Sequence, residues 1–191
     1  MKSTAQYNRE NWLADASALI QFYWSEHFGA MPAHRIACGY PEGKRNIDGA
    51  CAIAAASADH TVEMWIGTHI DCPEKAFTTL IHEMIHAIDG NKSKHGGRFA
   101  TIARKIGLIA PLTSAVASPE LQKTVATLVK QLPAYPHAKL TNGVKKDKNR
   151  QLKLHCRCGF ICRASQSQIA KLNPAGAPCP CCGDHSLVAA L

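Results

Sequence analysis

The sequence predicts an α+β fold in which helices pack on a small, mostly antiparallel sheet, followed by a small cysteine-rich unit. Apolar residues recur every three or four positions in four segments and alternate every two positions in another, while cysteines gather near the C-terminus. A chain of 191 residues has room for one ordinary domain and an appendage. We therefore place a core domain at 1–132, a linker at 133–153 and a second unit at 154–191.

The first part of the core is predicted to contain one helix and three short strands. In residues 8–28 the apolar positions share one helical face: Trp12, Leu13, Ala16, Leu19, Ile20 and Tyr23. Residues 61–70 alternate apolar and polar side chains, the period of a strand with one buried face. The segments 35–40 and 50–57, on either side of the break at 41–49, complete the expected antiparallel sheet.

A helix with a marked start follows the strands. Asp71 stands three residues before Glu74 in a capping-box pattern, and Pro73 occupies the first turn, where a missing N–H costs little. Gly90 is expected to end this helix. Its apolar face consists of Phe77, Leu80, Ile81, Met84, Ile85 and Ile88. The same periodicity predicts two further helices, around 99–106 and 121–132.

The charge and composition of the chain indicate which classes of molecule it binds. The net charge of +8 favours a polyanionic partner such as nucleic acid. The linker has little apolar content and carries a basic run, which predicts DNA contacts by Lys145, Lys146, Lys148, Arg150 and Lys153, joined by Arg157 and Arg163 beyond it. The sequence shows neither a secretory leader nor an apolar run long enough to span a membrane. We therefore expect a cytoplasmic protein without a membrane partner. Association with a nucleoid or a nucleus is compatible with this expectation.

The segment His82-Glu83-Met84-Ile85-His86 is an HExxH motif inside the best-marked helix. Residues four apart project from one face, so both imidazoles can bind one zinc ion. The glutamate is rotated by about 100° and can reach a zinc-bound water instead of the metal. A catalytic zinc keeps three protein ligands and one position for water. The motif predicts a zinc metallopeptidase with this glutamate as general base.

The third ligand must come from outside the helix. His95 is the strongest candidate, because it lies just before the next predicted helix and close to the end of the first. The metzincin spacing would place a ligand six residues after His86, where the chain has Lys92, so that class is excluded. Glu120 and Asp89 remain alternatives that no motif supports.

Together these features resemble the SprT-like (Spartan-type) family of zinc metallopeptidases. The motif segment 82–87 is followed by a short loop and by His95-Gly96-Gly97-Arg98-Phe99, and a CxC pattern then a CxxC pattern ends the chain. The resemblance implies a compact zincin-type core, zinc ligation by the three histidines, and a role in DNA repair, since eukaryotic members degrade proteins crosslinked to DNA. The segment 112–132 has no counterpart in that pattern, which leaves the substrate groove undefined.

Six of the nine cysteines lie in the last 36 residues, in two clusters that predict a structural zinc ribbon. Each cluster is followed by the glycine that a tight turn around zinc needs. We assign the ligands as Cys156, Cys158, Cys179 and Cys182. The last two keep the CxxC spacing, and the set matches the ribbon of the family that the chain resembles. Cys162 or Cys181 could replace one of them, and His155 or His185 is a weaker substitute. The remaining three, Cys38, Cys51 and Cys72, are predicted to be core residues.

The leading hypothesis is therefore a peptidase with one catalytic and one structural zinc, acting on proteins bound or crosslinked to DNA. One alternative is a DNA-binding regulator that keeps the zincin core as a scaffold without turnover. Another is a cytosolic zinc peptidase that has no role on DNA. Loss of cleavage in Glu83→Gln separates an enzyme from a scaffold, and steep salt dependence of DNA binding separates the first hypothesis from the last.

Overall fold

The computed structural model describes residues 7–44, 47–140, 151–171, 177–183 and 187–189. The chain divides into two compact units, residues 1–141 and 142–191. The α+β prediction is confirmed at this level, because helices pack on a small sheet in the first unit and cysteines cluster in the second. In the described ranges, each helix is too short or too polar to cross a membrane.

Five helices and three strands are present in the described residues of the first unit. They are α1 (Arg9–Tyr23), α2 (Ser25–Phe28), β1 (His34–Cys38), β2 (Gly49–Ala52), β3 (Val62–Ile66), α3 (Pro73–Asp89), α4 (Gly97–Ile106) and α5 (Pro119–Val129), with a 3-10 turn at Ala54–Ala56. The predicted helices are present, but the first breaks at Trp24 into two pieces. The predicted strand 50–57 is shorter than expected, since its alanine-rich end forms the 3-10 turn.

The sheet has the order β1-β3-β2 and is mixed, so the expectation of an antiparallel sheet is wrong for one of its two pairs. β2 runs antiparallel to β3, whereas β1 runs parallel to it. The connection after β1 carries the chain to the far edge, and β3 returns between the two earlier strands. Alternation along a strand identifies its buried face but not its neighbour, which is why sequence periodicity could not reveal this order.

Helix α3 is the centre of the first unit, with thirteen of its seventeen residues buried. It packs against β2, β3, α1, α4 and α5. Gly90 ends it in the left-handed conformation, as predicted. The predicted capping box at Asp71 is wrong, because Cys72 is the N-cap residue and Asp71 instead forms an ion pair with Lys139 at 3.6 Å. Burial rather than capping therefore stabilises this helix.

The three scattered cysteines differ in environment. Cys38 is buried in the core, as predicted. Cys51 is only half-buried and lies on the edge strand β2, while Cys72 is exposed at the start of α3. The prediction that all three are core residues is wrong for Cys72, because a position just outside a helix N-terminus has no packed neighbour on its outer side.

The first unit extends past residue 132, where the sequence placed the start of the linker. The indole of Trp12 is fully buried and donates a hydrogen bond to the carbonyl of Pro133 at 3.0 Å. The ring of Tyr135 lies 4.6 Å from that of Trp12, centroid to centroid. Beyond it, the amide of Leu140 donates to the carbonyl of Thr68 at 2.8 Å. A few anchoring contacts thus hold a segment whose composition resembles that of a linker.

Tyr135→Ala is expected to lower the free energy of unfolding of the first unit by about 1–3 kcal/mol, since it removes a half-buried ring from the Trp12 indole. Leu140→Ala is the matched control in the same segment. Its side chain is 62% exposed, so a change within about 0.5 kcal/mol is expected. Urea denaturation of the two variants measures both, and equal effects would show that 133–140 does not belong to the core.

The second unit contains a three-stranded antiparallel sheet in the order β5-β4-β6. Its elements are β4 (Leu152–His155), β5 (Ile161–Ala164), the short helix α6 (Gln166–Ile169) and β6 (Val188–Ala189). Its buried side chains, among those described, are Leu154, Cys156 and Cys179. So small an apolar core does not stabilise a fold of this size without an additional crosslink.

Candidate metal centres

Three imidazoles converge at the C-terminal half of α3. His82 and His86 lie one helical turn apart on α3, and His95 follows in the loop before α4. The Nε2 atom of His86 is 3.2 Å from Nε2 of His82 and 3.1 Å from Nε2 of His95. The nitrogen atoms that the three residues offer all lie within 4.8 Å of one another, so together they could hold a metal ion.

The spacing of these nitrogen atoms fits a tetrahedral ion. Zn–N bonds of about 2.0–2.1 Å at tetrahedral angles separate ligand nitrogens by about 3.3–3.4 Å, close to the distances found here. Imidazole nitrogen is also a preferred ligand of zinc. The donor set leaves one tetrahedral position without a protein ligand, and the group faces a groove. Zinc is therefore compatible with this group in both chemistry and geometry.

Burial keeps two of the histidines neutral. It lowers the pKa of His82 to about 3 and that of His86 to about 4, and the neighbouring imidazoles add to the effect. A metal ligand must be neutral, so this environment removes competition from protons. Among the described residues, the Nδ1 atoms of both histidines lack a hydrogen-bond partner.

The ring of Phe99, on α4, supports the three imidazoles from below. Its centroid lies 5.0 Å from that of His82, 4.3 Å from that of His86 and 5.1 Å from that of His95. The phenylalanine is fully buried. Packing on one aromatic residue restricts the orientation of all three rings, which is how a rigid metal site is built.

The loop that carries His95 is tied back to α3 by Asp89. This buried carboxylate accepts hydrogen bonds from the amide of Ser93 at 2.7 Å and from its hydroxyl at 2.8 Å. The carboxylate of Asp89 thus stabilises the loop through hydrogen bonds. Among the described residues, neither Asp89 nor Glu120 on α5 belongs to a group that could hold a metal ion. The two alternatives considered for the third ligand lie outside the histidine cluster.

Glu83 points to a different side of the helix and approaches the edge strand β2. Only 5% of the residue is exposed, and burial raises its pKa to about 8. Gly49, the first residue of β2, lies so close that a Cβ added there would stand 2.9 Å from Cδ of Glu83 and 2.8 Å from Cγ2 of Thr79. Only glycine leaves space for the carboxylate in this position.

A groove of about 680 Å³ joins the histidines, the glutamate and the edge strand. Its wall on the sheet side is formed by Gly49, Ala50 and Cys51 of β2. The main-chain groups of Gly49 and Cys51 point away from β3, because hydrogen-bonded pairs alternate in an antiparallel ladder and Asp48 accepts from Gly67 at 2.8 Å. Cys51 confirms the direction, since its carbonyl accepts from Nδ2 of Asn91 at 3.4 Å.

Four cysteines converge in the second unit. The Sγ atoms of Cys156 and Cys182 are 3.7 Å apart, those of Cys158 and Cys179 are 3.6 Å apart, and all four lie within 4.8 Å of one another. Tetrahedral Zn–S bonds of about 2.3 Å require S···S distances of about 3.8 Å. The group could therefore hold a metal ion and would surround it completely, which is typical of structural sites.

Three of the four alternative ligands in the second unit, Cys162, Cys181 and His155, do not belong to this group. Cys162 lies on β5 opposite Leu154, and the amide of Cys181 donates to Sγ of Cys179 at 3.4 Å. His155 is exposed on β4. His185 lies outside the described residues. The first cysteine of each cluster is buried, and the tight turn after each cluster has a glycine with positive φ, Gly159 and Gly183.

Among the predicted DNA contacts, the structure brings two side by side. Lys153 on β4 lies directly opposite Arg163 on β5, and both side chains are exposed. Arg157 is exposed in the turn between these strands. Four other predicted contacts, Lys145, Lys146, Lys148 and Arg150, fall outside the described residues.

Sequence reasoning did not find Gly49 or Asp89 in the roles they have here. A glycine after an aspartate reads as a turn, and nothing local indicates that a glutamate 34 positions away will lie against it. A carboxylate near two histidines in the sequence suggests a metal ligand, but Asp89 instead accepts hydrogen bonds from Ser93 in the loop. In both cases the partner is determined by packing.

Family models, curated proteins and solved structures give no match to this chain. The class is thus defined by fold and site alone: an α+β protein with a three-histidine group beside a buried glutamate and a separate four-cysteine group.

Proposed function

We propose that the chain is a zinc-dependent peptidase of the SprT-like type, acting on proteins bound or crosslinked to DNA. The observation that carries the proposal is the convergence of three imidazoles in a groove that also contains a buried glutamate and an open strand edge. His82, His86 and His95 would hold the catalytic zinc, and Cys156, Cys158, Cys179 and Cys182 a structural one. The wild type compared with Glu83→Gln on a DNA-bound protein substrate is the direct test.

Zinc held by His82, His86 and His95 would supply a Lewis acid that polarises the peptide carbonyl and lowers the pKa of a bound water. Glu83 accepts the proton of the attacking water and passes it to the leaving amine. Its burial favours the protonated form, and a nearby cation opposes this effect by stabilising the carboxylate. A zinc ion at the histidines would therefore lower the pKa of Glu83 from its raised value, in the direction that a general base near neutral pH requires.

The edge of β2 offers a way to hold an extended peptide. Gly49 and Cys51 turn amide and carbonyl groups toward the groove, and a peptide can pair with such an edge as an additional strand. Main-chain hydrogen bonds are independent of sequence, so this mode suits an enzyme with many protein substrates. Asn91 already occupies the carbonyl of Cys51 and limits pairing at that end.

Gly49→Ala is expected to lower kcat by about 100-fold with little loss of zinc, since displacing a catalytic group by about 1 Å has an effect of that order. The new methyl group would press on the carboxylate of Glu83 but not on the imidazoles. Ala50→Gly, the neighbouring position on β2, serves as control and should retain most of the activity. Normal kcat in Gly49→Ala would contradict the role given to Glu83.

DNA binding is proposed for the second unit. On one face of its sheet, Lys153 and Arg163 form an exposed cross-strand pair, and the next exposed pair on that face is His155 and Ile161. Two adjacent cations can contact neighbouring phosphates, and the net charge of +8 has the matching sign. Holding the enzyme on DNA would raise the local concentration of proteins attached to it.

Replacing Lys153 and Arg163 together by glutamine is expected to reduce the slope of log K against log salt by about 1.8, the value for two lost phosphate contacts on duplex DNA. Lys105→Gln with Lys130→Gln provides a control of equal charge on exposed positions of the first unit. Fluorescence anisotropy with labelled DNA across a salt series measures the slopes. Equal slopes for the two double variants would show that this sheet face does not contact DNA.

A further inference from the structure

A second groove, of about 730 Å³, opens beside the first one. It lies between the N-terminal half of α3, the helix α5 and the segment 114–117. Asp48, Ser114 and Ala115 line both grooves, so the two are continuous along these residues. The segment 112–132, which has no counterpart in the SprT-like pattern, thus forms one wall of the new groove.

The lining of the second groove is mainly apolar. Val116, Ala117, Val125 and Ala126 contribute hydrocarbon from the α5 side. On the α3 side, the hydroxyl of Thr78 donates to the carbonyl of Glu74 at 2.8 Å, so it has an internal partner. Four charged residues also line the groove: Lys75 and Asp48 are paired with each other at 3.0 Å, and Glu74 and Lys123 are exposed. Away from the exposed Glu74 and Lys123, an apolar side chain would contact mainly hydrocarbon.

The distance from the reacting centre suits a neighbouring residue of the substrate. Thr78 precedes Glu83 by five residues, about 7.5 Å along the axis of α3. Side chains on the same face of an extended peptide are separated by about 6.8 Å. The groove therefore lies within about two residues of the peptide bond that would be cleaved beside Glu83.

The direction of the peptide follows from the strand edge. β2 begins at Gly49, next to Asp48 at the junction of the grooves, and runs toward the Asn91 end of the site. Antiparallel pairing is somewhat more stable per residue than parallel pairing. A peptide antiparallel to β2 places its C-terminal part at the Asp48 end, where the second groove opens.

We propose that the second groove is a specificity subsite that accepts a large apolar side chain, such as leucine or phenylalanine, within two residues on the C-terminal side of the cleaved bond. This inference rests on the proposed peptidase function. A pocket that discriminates side chains would add a sequence preference to the sequence-independent pairing along β2.

The test uses the full chain loaded with zinc. The Glu83→Gln variant is used to measure peptide binding, and the wild type is used to measure cleavage. Labelled peptides that differ only at the two positions after the cleaved bond carry leucine, phenylalanine, alanine, aspartate or lysine there. The leucine and phenylalanine peptides are expected to have binding constants and cleavage rates roughly tenfold or more above those of the alanine peptide. Burial of one or more additional methylene groups has an effect of that size. Aspartate should be rejected further.

Two groove variants and one control localise the effect. Ala126→Leu fills the groove from a half-buried position of α5, and should remove the preference for leucine over alanine. Val116→Asp places a carboxylate at a residue 38% exposed, and should shift the preference toward lysine. Thr127→Leu adds a similar side chain on another face of α5 and should change nothing.

The outcomes separate the two proposals. Equal binding of leucine and alanine peptides to Glu83→Gln, or an unchanged preference in Ala126→Leu, overturns the subsite whatever the cleavage assay gives. A binding preference that Ala126→Leu abolishes, together with absence of cleavage by the wild type, would show that the groove binds an apolar side chain, but would overturn the peptidase function and with it the role of the groove in cleavage. A preference in both assays supports both.

Discussion

Glu83→Gln is expected to reduce hydrolysis of a DNA-bound protein by about 10³-fold or more, within the range that general base catalysis contributes. The amide has nearly the shape of the carboxylate but cannot accept a proton at neutral pH. Because the group is 5% exposed and approaches Gly49, water has little room to replace it. The three histidines remain, so the variant should retain two zinc ions per chain.

The measurement combines a cleavage assay with metal analysis of the same preparation. Glu120→Gln, at the first turn of α5, is the matched control, and should keep its activity because its side chain lies outside the histidine group. Undiminished cleavage in Glu83→Gln would overturn the general-base role. Loss of zinc together with activity would instead assign Glu83 a structural role at the histidine site.

Cys179→Ser is expected to unfold the second unit and to reduce the zinc content from two ions to one. Its described apolar core contains a single large side chain, Leu154, beside the buried thiols of Cys156 and Cys179. Structural zinc contributes about 10–16 kcal/mol to the folding of small domains, which is as large as the whole stability of a typical domain, about 5–15 kcal/mol. Among the described residues of the second unit, no other group offers stabilisation of that size.

Hydrogen exchange with mass spectrometry checks this prediction for each unit. Amides of β4 and β5 should lose protection, while those of α3 keep it. Cys181→Ser and Cys162→Ser are the matched controls, since neither thiol belongs to the four-cysteine group. Unchanged protection of β4 in Cys179→Ser would show that packing alone stabilises the second unit.

The sequence by itself determined the elements whose signal is local. The helical period marked α3, α4 and α5, and Gly90 marked an end, because helix geometry depends on residues three and four apart. The same spacing placed His82 and His86 on one face of a helix. The choice of four cysteines out of six followed from CxxC spacing together with the resemblance to the family's ribbon, and those four converge.

Only the tertiary structure decided which distant segments meet. Four features join residues that are far apart in the chain. They are the parallel pairing of β1 with β3, the contact of Gly49 with Glu83, the anchoring of 133–140 by Trp12 and the groove formed by α5. Such contacts depend on how buried faces pack, and periodicity records only that a face is buried. For that reason the residues of the two groups that could hold a metal ion could be predicted from sequence, whereas the shape of the groove beside the histidines could not.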